Sequence, residues 1–450
     1  MNPHLVKELF YAVPYSLGRR LAFIPFRYRL GERFVWHRGR LARYCSASSL
    51  LELQNDVQGV LSRTVCDIFN CSKFYRQTWK GQYSGFTNLD WNAWKALPLV
   101  SKSDLRGIEL SDWGNISLAR FPVNTGGTSG EPLSFYHVAD VFAKEWAHML
   151  YIWERVGYQL GDCKLTFRGK DLAGRAIRYN AVHNEYLVNP YVTFEKQAAA
   201  ISKIVHRISF IHGYPSQIFE FVSKAEKEAP RLVDQLKANL KGILFGSEFP
   251  APQYREPIER VLQVPTISWY GHSEFCILAY ETEPFVYRPM YSYGFAEAVK
   301  TNDHTEAYEL VGTSYDNLAS PFVRYRTGDS IVPEFEGNLI KSFQIHEGRI
   351  GECVTDHYGT RVSLTALIFG RHHKIFDIAR FVQVQQTKPG DISLWVTLPN
   401  DIRMSEDEVR SQMDLTNLKF NISVLIRSEP YRTSAGKTPL LVPNKASVTS

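Results

Sequence analysis

The sequence predicts an α/β protein, with a large multilayer N-terminal domain followed by a small α+β domain. Three observations carry that expectation. Between residues 163 and 330 short β-type runs alternate with helical ones, the pattern of α/β layers with partly parallel strands. Past Pro333 the pattern shifts to shorter strands and two short helical stretches, about 100 residues in all, enough for a separate unit. A chain of 450 residues also exceeds what one hydrophobic core holds, so two or three domains are expected.

In order along the chain, residues 1–95 read as a helical, basic segment of the large domain, with Val60-Leu61, Val65 and Ile68-Phe69 at helical spacing. In Leu97–Arg106, Ser101 precedes Asp104 by three residues, a capping box that opens a short helix. Ala139–Val156 predicts a long helix with Phe142, Trp146, Met149-Leu150 and Trp153 on one face. Then follow strand-like Lys164–Phe167, helical Ala198–Ile208, strand-like Phe210–His212, helical Gln217–Lys227, and strand-like Gly242–Phe245 and Thr266–Tyr270. Several strand ends carry polar turns: Gly213–Ser216, Gly246–Glu248 and Tyr270–Glu274. Residues 96–345 form the expected core of the large domain and 346–443 the small one. The latter holds a helix at Leu364–Phe369, strands at Phe381–Gln385 and Ile392–Thr397, a helix at Asp407–Met413 and a strand at Ile422–Ile426. Residues 444–450 read as a flexible polar tail.

Composition excludes several classes. With 44% apolar and 22% charged residues the chain is globular, neither disordered nor fibrous. No run reaches roughly eighteen apolar residues, so no transmembrane helix is expected, and arginines interrupt Met1–Leu30 too often for a signal peptide. Six cysteines (Cys45, Cys66, Cys71, Cys163, Cys276, Cys353) form no CxxC pair, which argues for a reduced, cytoplasmic setting. The net charge is +6, yet residues 1–44 alone carry nine Lys and Arg against Glu8 and Glu32, a local +7. The basic surplus is therefore local and not a nucleic-acid footprint. Combined with Leu5, Leu9-Phe10, Leu21, Phe23-Ile24 and Phe26, it suits a helix lying on an anionic membrane surface; the alternative is that the apolar residues dock on the large domain.

The most chemically loaded stretch is Phe121–Tyr136. It packs Asn124, Thr125, Gly126, Gly127, Thr128, Ser129 and Gly130 between an apolar segment and a β-type run. Glycines let backbone N–H groups converge on an anion, and the hydroxyls add donors, which is what a triphosphate needs. The Walker spacing and its lysine are absent. Alone, such a cluster is more often a plain hairpin turn.

In order and spacing, Leu97–Arg106, Thr125–Pro132, Gly246–Glu248, Tyr270–Glu274, Tyr293–Glu297, Phe322–Asp329, Gly348-Arg349, Leu364–Phe369 and Ser434–Lys437 resemble the adenylate-forming superfamily of acyl-CoA synthetases, adenylation domains and luciferases. Within it they are most similar to phenylacetate–CoA ligase-like enzymes and the capsular-polysaccharide CapK group. The resemblance covers roughly residues 95–440. It implies an ATP-dependent, AMP-forming ligase whose small domain is mobile.

The same resemblance implies a division of labour. Thr125, Gly126, Gly127, Thr128, Ser129 and Gly130 would hold the β- and γ-phosphates. Ser247, Glu248, Tyr270 and Gly271 would frame the adenine, with His272 either shaping the pocket or only packing. Glu274 would help hold Mg²⁺, Asp329 would accept both ribose hydroxyls, and Arg349 would contact phosphate or ribose at the domain junction. Lys437 would reach the α-phosphate and the substrate carboxylate. Tyr214, Phe167 and Trp146 are candidates for lining the acid pocket.

The expected partners are a small carboxylic acid and either CoA or an amine acceptor, the latter including a lipid-linked sugar in capsule assembly at the inner membrane surface. A non-catalytic nucleotide-binding relative and a membrane-surface adaptor are the rival readings. The chain departs from the family pattern in three places. Glu131 stands where the loop usually carries lysine. Thr282 occupies the position of a cysteine that binds zinc in some relatives, and Cys276 with His272 is too sparse for such a site, so no zinc is expected. The acidic hinge residue is blurred into Ile350-Gly351-Glu352.

Overall fold

The structure, a computed structural model, describes residues 10–83, 85, 89–124, 133–250, 252–300, 308–347, 353–364, 367, 373–379, 381–398, 402–431 and 440–442. Residues 125–132, 348–352 and 432–439 lie outside the described residues, and with them Thr125 to Gly130, Glu131, Arg349 and Lys437. Most of Leu364–Phe369 and the tail lie outside them too.

A twelve-stranded mixed sheet organises the chain. From one edge it runs Gly294–Lys300, Tyr308–Ser314, Tyr325–Glu336, Leu339–Glu347, Val286–Pro289, Leu278–Glu283 and Thr266–Gly271, all antiparallel neighbours. It continues through Gly242–Phe245, Phe210–Gly213, Lys164–Phe167 and Glu185–Val188, all parallel, and ends on antiparallel Ile177–Asn180. Lys164–Phe167, Phe210–Gly213 and Gly242–Phe245 are buried along their whole length, which requires cover on both faces. Alternation assigns the faces. Ile211, Ile243 and Phe245 point to one side, onto Ile201, Ile218, Val222, Leu236 and Ile258 of the helices Phe194–Ser202, Pro215–Glu228, Pro230–Asn239 and Pro252–Leu262. Phe210 and Leu244 point to the other, onto Ala147, Leu150 and Trp153 of the helix Val141–Glu154. The antiparallel half is covered by the helix Leu50–Cys71, whose Leu53, Val57, Leu61, Val65 and Ile68 recur at helical spacing over Leu339, Ile340 and Phe343.

The N-terminal helices Tyr15–Ala22 and Phe26–Cys45 lie on this body. Tyr15 packs edge-on against Tyr179, and Phe34 and Leu41 join the core around Val141–Glu154. A separate core spans Val354 to Leu440, built on the four-stranded sheet Asn421–Arg427, Asp391–Thr397, Phe381–Lys388 and Leu441–Val442 and sealed by Val409 of the helix Glu406–Ser411.

Two expectations need correction. The helical run Ala198–Ile208 begins earlier, at Phe194, and stops at Ser202; Val205–Arg207 tightens into a 3₁₀ turn that leads into Phe210. Pro333 does not mark a change to short strands. It lies inside the twelve-residue strand Tyr325–Glu336, opposite Phe343 of a nine-residue strand. Its neighbour on the other side last pairs at Tyr308 with Ile331, so among the described residues the ring occupies a stretch laddered on one side only, where a missing N–H is tolerated.

Candidate functional site

The parallel strands deliver their C-terminal ends to one edge of the sheet, the place where open α/β sheets bind ligands. Close backbone approach sets each turn there. Gly213 has φ +135°, and a Cβ on it would fall 1.9 Å from the Phe167 carbonyl oxygen. A Cβ on Gly246 would stand 2.6 Å from the Trp269 ring, and the Gly246 N–H donates to the Gly213 carbonyl at 3.0 Å. Glycine is required at both positions. Ser247 follows in the left-handed region at φ +67°, exposed, with Glu248 half-buried beside it.

The next strand, Thr266–Gly271, brings Tyr270, Gly271, His272 and Glu274 to the same edge. The Tyr270 hydroxyl donates to Asp329 Oδ2 at 2.6 Å, so two residues singled out separately by motif order lie in direct contact. Asp329 is half-buried, and its own N–H donates to Thr327 Oγ1 at 3.1 Å. Glu274 is buried. His272 Nδ1 donates to Oε2 at 3.0 Å and the Tyr325 hydroxyl to Oε1 at 2.9 Å. Burial alone would raise the Glu274 carboxyl, but these two bonds and the charges of His272 and Lys102 outweigh it and hold the group well below the usual carboxylate range. It is therefore an anion at neutral pH. His272 Nε2 is buried with no hydrogen-bond partner among the described residues, an atom left for a ligand.

His137 lies beneath this pair, on the strand Ser134–Val138. It donates from Nε2 to the Ser273 carbonyl at 2.7 Å and stacks on Phe275 with centroids 4.6 Å apart. Burial pushes its imidazole down to about 4, so it is neutral at pH 7. Arg120–Asn124 and Ser134–Val138 pair antiparallel, so the glycine-rich stretch joins two strands of a hairpin as the sequence implies.

Two further matched stretches, Leu97–Arg106 and Phe322–Asp329, are tied together by backbone and side-chain bonds. Ser101 and Asp104 form the expected capping box at the start of the helix Lys102–Leu105, which places Lys102 near Glu274. Val100 ties this segment to Phe322–Asp329 through bonds with the backbone of Arg324 and Arg326. Arg324 Nε donates to Glu297 at 2.7 Å, Trp94 Nε1 to the same carboxylate at 2.9 Å, and Arg326 to Glu309 at 2.6 Å. Both arginines of the Arg-Tyr-Arg-Thr-Gly-Asp run thus brace the fold, while Tyr325 and Asp329 contact Glu274 and Tyr270. Tyr325, Lys102 and His137 were not assigned from the sequence. The first two lie inside matched stretches, and only the pairing register shows what they touch. Of the acid-pocket candidates, Tyr214 is buried at the start of the helix Pro215–Glu228; Phe167 packs on Phe221 and Trp146 stacks on Phe26, both within core layers.

Glu274 fits one place in a Mg²⁺ shell. It is ionised, offers hard oxygens, and each oxygen accepts one of these two hydrogen bonds while keeping lone-pair capacity; phosphate oxygens and water would supply the other ligands. Among the described residues no three His, Cys, Asp or Glu side chains converge as a metal cluster.

No family model matches the chain. Protein CapK of Staphylococcus aureus is 21% identical over 267 residues, covering 57% of this chain and 58% of that protein, so the match spans little more than half of that relative's length. Solved structures of a 2-hydroxyisobutyryl-CoA ligase are similar at 14% identity. One, in complex with 2-HIB-AMP and CoA in the thioesterification state, gives a TM-score of 0.54 over 88% of this chain and 90% of that one. Another, in the postadenylation state with R3-HIB-AMP, gives 0.53 over 88% and 91%. The chain has the fold of the adenylate-forming ligases.

Proposed function

We propose that the protein is an ATP-dependent, AMP-forming ligase. A carboxylate attacks the α-phosphorus of ATP, pyrophosphate leaves, and an amine or the CoA thiol then displaces AMP from the acyl-adenylate. The observation that carries this reading is the Tyr270–Asp329 hydrogen bond beside the buried, ionised Glu274 at the strand ends. Tyr270 presents Asp329 as an acceptor for the two ribose hydroxyls, and the Ser247-Glu248 turn and Gly271 border the space expected for adenine. His272 Nε2, without a hydrogen-bond partner among the described residues, is our candidate partner for ribose or phosphate. Mg²⁺ would neutralise phosphate charge, with Glu274 among its ligands.

The phosphate-gripping loop Thr125–Gly130, Arg349 and Lys437 complete the proposed machinery, with the small domain 346–443 bringing Lys437 in for the first step only. Resemblance to the CapK group supports a role in capsule or surface-polysaccharide assembly in the cytoplasm. The structure of a ligase with bound CoA supports the thioester alternative. ATP–pyrophosphate exchange across a panel of carboxylic acids tests the reading. Exchange with one acid class is expected; none with any acid, alongside measurable ATP binding, would make the chain a nucleotide-binding relative without ligase activity.

A further inference from the structure

We infer that the outer faces of the two N-terminal helices form a docking surface for an anionic lipid bilayer. Of the two alternatives raised by the sequence, docking on the large domain is observed, and it engages one side of these helices. The inner face is fully engaged. Tyr15 packs on Tyr179 and Tyr186, and Arg207 lies 4.6 Å over the Tyr15 ring. Gly18 sits so close to Tyr179 that a Cβ would come within 2.5 Å of it, and Ala22, Phe34 and Leu41 are buried. The helices are thus anchored without their outer side chains.

The outer side is apolar and basic together. Leu17 and Leu21 lie one turn apart on the helix Tyr15–Ala22, Ile24 and Tyr28 follow on either side of Pro25, ahead of the kink at Gly31, and all four are exposed, Leu17 by 50% and Tyr28 by 69%. Phe10, Val35 and Trp36 are exposed as well. Interleaved with them stand Arg19, Arg20, Arg27, Arg33 and Arg43, all on the surface. Of the eight arginines in residues 10–45, Arg33, Arg38, Arg40 and Arg43 pair with Asp140, Glu154, Asp316 and Asp56, and Arg19, Arg20, Arg27 and Arg29, which form no ion pair among the described residues, carry the basic surplus.

The occupant follows from that charge and from how it is mixed. Arg27 stacks on Tyr28 at 4.7 Å, and Arg33 lies over Trp36 at 5.6 Å, so the aromatic tips are capped by cations. Guanidinium forks match phosphate oxygens, and Trp and Tyr favour the boundary between headgroups and acyl chains. Single apolar side chains interleaved with arginines suit insertion between anionic headgroups. No helix among the described residues is long and apolar enough to cross a membrane, so the contact is peripheral.

The test is co-sedimentation of the full chain with vesicles of phosphatidylcholine alone or mixed with phosphatidylglycerol, at low and high salt. Binding to the mixed vesicles alone, released by salt, is expected. The triple variant Arg19→Glu, Arg20→Glu, Arg27→Glu should lower partitioning by at least about 100-fold, since each arginine near such a surface is worth about fivefold and each glutamate adds repulsion. Leu17→Ser with Leu21→Ser and Ile24→Ser should lower it by about tenfold or more through lost apolar contact. All six positions are exposed or outside the nucleotide site, so both variants should keep the wild-type thermal transition and pyrophosphate exchange. No binding at low salt, or binding that both variants leave unchanged, overturns the inference. So does concentration-dependent self-association abolished by the Leu and Ile changes in the absence of vesicle binding, which would assign the surface to a second copy. Vesicle binding is read without ATP, so this result stands apart from the ligase proposal.

Discussion

Asp329 and Glu274 are both carboxylates, yet their surroundings give them different sensitivities. Asp329 is half-buried and its hydroxyl donor is Tyr270, so Asp329→Ala removes a ligand contact while the fold persists. Pyrophosphate exchange should fall by about 2–4 kcal/mol of transition-state stabilisation, roughly 30- to 1,000-fold, with an unchanged unfolding transition. Tyr270→Phe should act more mildly, raising KM for ATP by about tenfold because Asp329 stays but loses its orienting donor. An Asp329 variant with wild-type exchange would remove the ribose assignment. Glu274 is also a core group, holding Tyr325 and His272. Glu274→Ala would therefore leave two buried donors unpaired and cost about 1–3 kcal/mol of stability as well as activity, and Glu274→Gln is the cleaner probe. At this scale motif order singled out both carboxylates, and the structure brings both to the strand ends. It could not expose their partners: Tyr325 meets Glu274 only because the long strand Tyr325–Glu336 is registered beside the sheet edge, a tertiary fact with no local signature.

Elements were legible where periodicity and length agreed. The helix Val141–Glu154, the strands Lys164–Phe167 and Gly242–Phe245 and the capping box at Ser101 all appear where their patterns place them. The helix Pro252–Leu262 escaped notice because Pro257 interrupts its pattern, and Pro230–Asn239 because only Ala229 separates it from the preceding helix. The strand-end turns were recognisable as polar Gly-containing clusters, but the reason for each glycine lies in what packs against it. Gly246→Ala makes that argument measurable. Its Cβ would press into the Trp269 ring, so the Ser247-Glu248 turn must move. A loss of about 1–3 kcal/mol in stability is expected, together with weaker ATP binding, read by denaturant midpoint and by nucleotide titration. Unchanged ATP affinity in a destabilised variant would separate this turn from the nucleotide site.

Across the whole molecule, the layer between the sheet and the helices Phe26–Cys45 and Val141–Glu154 buries an unusual set of histidines. Burial pushes His37 and His137 down to about 4, and His148 and His212 lie well below their ordinary value for the same reason. His148 bridges the Lys144 carbonyl and Ser292 Oγ at 2.8 and 2.9 Å, and His212 stacks on Trp269. All four are neutral in the folded protein at pH 7. Because their folded values are depressed, the unfolded chain takes up protons first as pH falls. Their neutral burial carries no penalty above about pH 6.5, and stability then declines progressively towards pH 4, by up to about 1.4 kcal/mol per pH unit for each histidine. Glu274 works in the same direction but in a lower window, since a depressed carboxylate loses its contribution only below its ordinary value of about 4.3. The urea midpoint, followed by tryptophan fluorescence, should therefore drop steeply between pH 7 and pH 5. His148→Gln, which can keep a hydrogen bond to Ser292, should make that drop shallower by about one proton's slope. A midpoint flat across this range would mean that these imidazoles are not held neutral, and that the layer between sheet and helices admits charge and water where the packing described here excludes both.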